Sequence, residues 1–162
     1  MSARKLAFQI LRDVDERGAS VRGAVERLCA RSEPSPADRA LLREIAAGVT
    51  RQRASLDAVL DTFSSLPARK IDAAVRRALR IGLYQVLYLD RVPARAAVDT
   101  AVELVRMARP HAVGFANAVL RAATRSLHAR DERPGPHPRR AIPVGRDQYA
   151  VFDRDVLPDP EK

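Results

Sequence analysis

Apolar residues recur at helical spacing along most of the chain. Leu6, Ile10, Leu11 and Val14 form one stripe, which stops near Arg17-Gly18. Ser20 stands where a cap is needed before Val21, Ala24, Val25 and Leu28. The stretch "SEPSPAD" reads as a loop in which Ser35 caps a helix and Pro36 takes its first position. A long pattern follows through Leu41, Leu42, Ile45, Val49, Leu56, Val59, Leu60 and Phe63. It fits one helix or two, with Gly48 as the place for a bend, and Leu66-Pro67 closes it. "IDAAVRRALRIGLYQVLYLD" is the most apolar segment; "AAVDTAVELVRMA" and "AVGFANAVLRAATRSL" complete the set. No stretch before residue 140 alternates with period two, and the connections are short. The pattern predicts an all-α bundle of six or seven helices.

Two details refine this. Gly82 lies mid-helix, where glycine costs about 1 kcal/mol, so a close helix crossing is expected there. In "GFANAVLR", Phe115, Val119 and Leu120 share a helical face, yet Asn117 sits among them with Arg121 one turn on. Asn117 reads as a structural polar residue, tying the last helix to "DRVP" or to a neighbouring helix end; direct contact with a ligand is the alternative.

The character changes near Leu127. Six of the eleven prolines fall beyond it, and "RDERPGPHPRR" has the composition of a linker. "YAVF", Tyr149 to Phe152, has strand character but no evident partner strand. The expected organisation is a helical domain over residues 1–127 and a Pro/Arg-rich linker or tail over 128–162, extended and largely without regular structure.

Charge then narrows the function. Residues 1–127 hold 22 basic and 13 acidic side chains, an excess of nine that is the whole net charge; the remainder balances at seven of each. Nearly all the cations are arginines, whose planar fork suits phosphate. Such a basic domain has the electrostatic footprint of a polyanion-binding protein, usually of nucleic acid. The competing reading is an arginine-rich composition spread over solvated helix faces, in a helical protein-interaction module whose basic charge is incidental. The single cysteine, Cys29, rules out an internal disulfide and any cysteine-based zinc site. The three histidines lack metal-ligand spacing with one another, and no Gly-rich phosphate loop is present. No catalytic residue, cofactor or metal is expected. With no long apolar run, a soluble cytoplasmic protein with no membrane partner is the expectation. Tyr84 and Tyr88 lie four apart near arginines. They read as core residues with hydroxyls at the rim, base stacking being the alternative.

Together, "DRALLREIAAGVTRQRASLD", "LRIGLYQVLYLDRVPARAAVDTAVELV" and "GFANAVLR" resemble the NusB-like domain over roughly residues 3–127. That helical fold occurs in transcription antitermination factors of the NusB type and as the N-terminal domain of RsmB-type ribosomal RNA cytosine-C5 methyltransferases. "FANAVLR" and "YQVLYLDRVP" are more similar to the methyltransferase branch, and the tail is similar to its connector. The resemblance implies an RNA-binding domain, with ribosomal RNA as partner. It also implies either a methyltransferase domain in cis or in trans, or a ribosomal protein if the chain works as NusB does. Methyl transfer from S-adenosylmethionine belongs to a catalytic domain with its own cysteines and cofactor loop, so none is expected of these residues. The chain then reads as a fragment, a split protein or a free-standing adaptor.

The candidates for RNA contact are Arg4, Lys5, Arg76, Arg77, Arg80, Arg121 and Arg125. Arg4 and Lys5 occupy the place of NusB's basic N-terminus. Arg76, Arg77 and Arg80 cluster on adjacent turns, although Arg80 also fits a buried structural role. Changing Arg4, Lys5, Arg76 and Arg77 together to Ser is expected to weaken RNA binding while keeping the fold.

Overall fold

Three serines and an aspartate set where the helices begin. In the computed structural model, which describes residues 2–128 and 130–161, Ser2 accepts from the amide of Lys5, Ser20 from that of Gly23 and Ser35 from that of Asp38. These caps open α1 (Ala3–Arg17), α2 (Val21–Ser32) and α3 (Pro36–Arg51). Gly18, at φ 66°, ends α1 in the left-handed conformation that glycine adopts without strain. The chain turns at Gln52 into α4 (Arg53–Phe63), not at Gly48 as the pattern allowed. Gly48 instead makes room for a ring: a Cβ there would lie 2.1 Å from Cζ of Tyr84.

A short 3-10 turn over Ala68–Lys70 leads to α5 (Ala73–Tyr88), then α6 (Ala94–Ala108) and α7 (Val113–Ser126). Helix α5 is the axis of the bundle. It touches α1, α3, α4, α6 and α7, and nearly every side chain from Ala74 to Leu87 is buried. The expected close crossing lies on α6: a Cβ on Gly82 would meet Cβ of Ala101 at 2.7 Å.

Asp72 caps α5, accepting from the amides of Ala74 and Val75, and Arg109 approaches it at 3.3 Å. Burial pushes its carboxyl pKa up, but the Val75 amide and the Arg109 charge outweigh that and hold it below the ordinary value. The cap therefore contributes above the ordinary carboxylate range and is lost as pH falls through the depressed value. Asp72→Ala is expected to cost about 1 kcal/mol, read as a loss of roughly 2–4 °C in Tm by circular dichroism.

The tail departs from expectation. It is not an extended, structureless segment: β1 (Ala141–Gly145) pairs antiparallel with β2 (Gln148–Val151), in the register Ile142↔Ala150. The other edge of β2 meets the chain after α7 through bridges Leu127↔Phe152 and Asp131↔Tyr149. The missing partner for "YAVF" was thus "AIPVG", disguised by its proline. Pro143 is exposed on the edge strand, where a lost N–H breaks no ladder bond. Ile142, Ala150, Phe152 and Val156 join the helices' own buried cluster. Phe152 meets Phe63 of α4 with ring centroids 5.8 Å apart. Asp153 accepts from the Ser126 hydroxyl at the end of α7, and Arg130 pairs with Asp90 beyond α5.

Candidate nucleic-acid interface

The arginines of α5 are committed to the fold. Arg77 is 3% exposed; its Nε lies 3.3 Å from Asp15 of α1, and its guanidinium sits 5.4 Å over the Phe8 ring. Arg80 is 6% exposed and grips both oxygens of Asp57 at 2.8 Å each. Nη1 of Arg76 donates to the carbonyls of Ala68 and Ile71, both at 3.1 Å, and so closes the 3-10 turn before α5. The expected cluster of Arg76, Arg77 and Arg80 is therefore not an open basic face. The i, i+4 spacing placed Arg76 and Arg80 on one side of a helix but not on an outer side. A helix apolar all round is buried all round, so its polar side chains point into the protein. The four-residue Ser variant proposed from sequence would remove two such structural arginines and confound binding with folding.

Arg4 and Lys5 lie on the first turn of α1, both half-buried. Arg4 donates from Nε to Oε1 of Gln85 at 2.9 Å. Gln85 is fully buried and returns its amide to the carbonyl of Ile81. Arg4 thus ties α1 to α5 while its remaining donors stay available. Lys5 forms no ion pair among the described residues.

Helix α7 has one open basic face; Arg27 and Arg31 on α2 and Arg39 and Arg43 on α3 are likewise exposed and form no ion pair among the described residues. Arg121 and Arg125 are exposed, one turn apart, and have no carboxylate partner among the described residues. Arg125 only brushes the carbonyl of Arg121, at 3.4 Å. Arg121 lines a groove of about 380 Å³ together with Arg95 and Asp99 of α6. Arg125 lines a second groove, of about 250 Å³, with Phe63 and Arg154. Arg154 covers the Phe63 ring at 5.3 Å and approaches Asp153 at 3.5 Å. Arg95, Arg121, Arg125 and Arg154 therefore form one band across α7. Sequence reasoning missed two of them. Arg95 had a signal, since it lies on the polar side of a strongly amphipathic helix. Arg154 had none, because only the folded tail carries it there.

Asn117 is half-buried one turn before Arg121 and makes no hydrogen bond among the described residues. The expected tie to "DRVP" is absent. Tyr84 and Tyr88 stack on each other with centroids 5.0 Å apart and planes 16° apart. Tyr84 is 4% exposed, and the Tyr88 hydroxyl reaches Gln52 at 3.4 Å. Cys29 is buried in α2. No helix among the described residues is long and apolar enough to cross a membrane.

A helical domain wrapped about one buried central helix is the NusB-like class of fold. Residues 1–125 match the model of the NusB family, and the chain belongs to that family. It is 41% identical over 106 residues to a probable ribosomal RNA small subunit methyltransferase B of Synechocystis, an overlap of 65% of this chain and 24% of that protein. It is 32% identical over 120 residues to the transcription antitermination protein NusB of Kineococcus radiotolerans, covering 73% of this chain and 87% of that one. The chain thus spans about a quarter of the methyltransferase relative and most of the NusB relative. Among solved structures, antitermination factor NusB, crystallised with NusE and dsRNA, superposes with a TM-score of 0.69. That match has 21% identity and covers 76% of this chain and 93% of the other. At that identity the likeness shows the fold alone.

Proposed function

We propose that this chain is an RNA-binding module. It serves as the ribosomal RNA recognition domain of a cytosine-C5 methyltransferase, with the catalytic domain supplied in cis or in trans. The observation that carries the reading is the α7 band, where exposed arginines without carboxylate partners stand one turn apart beside two grooves. Unpaired guanidiniums at that spacing match a phosphate backbone in charge and donor geometry. Methyl transfer is not assigned to these residues, since their one cysteine is packed in the core and has no access to a base. Lys5 and the free donors of Arg4 form a secondary contact.

The 87% coverage of a NusB relative favours a second reading, in which the chain binds ribosomal RNA leader together with a ribosomal protein. Crosslinking in cells followed by sequencing of the bound RNA separates them. Small-subunit ribosomal RNA supports the first reading and leader RNA the second. Recovery of no RNA above a non-binding control overturns both.

A further inference from the structure

Three parts of the chain meet at the groove where the α7 band ends. Phe63 comes from the last turn of α4, Ala122 and Arg125 from α7, and Asp153 and Arg154 from the residues just after β2. The backbone that carries Arg154 is pinned on both sides. The amide of Asp153 donates to the carbonyl of Ser126 at 3.0 Å, and that of Val156 to the carbonyl of Arg139 at 2.9 Å. The Arg154 guanidinium lies over the half-buried Phe63 ring, 5.3 Å from its centroid, while 60% of the side chain remains exposed. One side of the group rests on the ring and the other faces water.

The two arginines of the groove differ electrostatically. Arg154 has Asp153 at 3.5 Å, and the Ser126 hydroxyl donates to the same carboxylate. Arg125 forms no ion pair among the described residues and reaches only the Arg121 carbonyl, at 3.4 Å. A phosphate therefore gains more at Arg125, whose charge is free, than at Arg154, where it would face the Asp153 carboxylate. What Arg154 offers instead is a surface. A planar, weakly hydrated guanidinium held in place is a platform for a flat ring. At about 250 Å³ the groove suits one ring system and not a folded segment of a partner. A base inside a duplex has both faces covered by its neighbours, so only an unpaired base can lie there.

We propose that Arg154, backed by Phe63, is a stacking platform for one unpaired nucleobase, with Arg125 on an adjoining phosphate. The α7 band then takes single-stranded RNA, and the folded tail supplies part of the RNA surface. This inference rests on the reading of the band as an RNA surface.

The test is fluorescence anisotropy of the full chain with three labelled probes of equal length: a mixed-sequence single-stranded RNA, the same RNA annealed to its complement, and a sugar–phosphate strand without bases. Arg154→Lys keeps the charge but removes the plane, and the position is exposed, so the helical circular dichroism should not change. The variant is expected to bind the single strand about five- to a hundredfold more weakly, as loss of one base stack would give. Its salt dependence on that probe should match the wild type, since no charge is lost. Binding to the duplex and to the base-free strand should be unchanged. Unchanged binding of the single strand by Arg154→Lys overturns the proposal. So does equal weakening on all three probes, which marks a general structural or electrostatic role. In either case the band stands as an RNA surface if Arg95→Gln/Arg121→Gln/Arg125→Gln weakens binding. If the wild type binds none of the probes, that reading and this one fall together.

Discussion

The variant Arg95→Gln/Arg121→Gln/Arg125→Gln should bind ribosomal RNA about ten- to a hundredfold more weakly at low salt and with a shallower salt dependence. Each phosphate neutralised on a single strand contributes roughly 0.7 to the slope of log affinity against log salt. Losing three such contacts should therefore flatten the slope by about 2. Glutamine keeps the side-chain length and a good helix propensity, so the helical circular dichroism should be retained. All three residues are exposed and none is in an ion pair among the described residues, so little stability is at stake. Fluorescence anisotropy of a labelled RNA across a salt series reads both quantities. The companion Arg4→Gln/Lys5→Gln should have the smaller effect, because Arg4 already spends its Nε on Gln85. If the triple variant binds with unchanged affinity and slope, the α7 band is not the RNA surface.

Helices were legible because burial on one side writes a 3.6-residue period into the chain, and capping residues mark its ends. Ser20, Ser35-Pro36 and Gly18 lie at helix ends in the structure. The choice between Gly48 and Gln52 for the turn was not legible. A glycine that accommodates a ring from a helix far along the chain looks in sequence like a glycine that breaks a helix. Which of the candidate arginines are exposed was half legible for a related reason. Arginine on an amphipathic helix faces solvent, as Arg121 and Arg125 do. Arginine on a helix apolar all round must find carboxylates inside the protein, and those of Arg77 and Arg80, Asp15 and Asp57, are distant in sequence. The tail was least legible, since proline and balanced charge mimic a linker, and a two-stranded pairing shows only when both strands are recognised.

That tail leads to the largest stability effect expected here. Phe152→Ala should destabilise the fold by about 3–5 kcal/mol, the usual cost of emptying a buried phenylalanine site. For a chain of this length the loss corresponds to roughly 6–20 °C in Tm. Phe152 is among the largest side chains with essentially no exposure, and it closes the space between the hairpin and α4 against Phe63. The neighbouring backbone is held as well: the Phe152 amide donates to the carbonyl of Arg140, and that of Asp153 to Ser126. Collapse around the missing ring would have to move both, so the cavity should persist rather than close. Arg146→Ser, in the exposed turn of the same hairpin, serves as the control and should shift stability by less than about 0.5 kcal/mol. Urea unfolding of the two variants should keep one cooperative transition, because hairpin and helices share a single buried cluster. A Phe152→Ala midpoint no lower than that of Arg146→Ser would mean that the tail rests on the bundle without contributing to its stability.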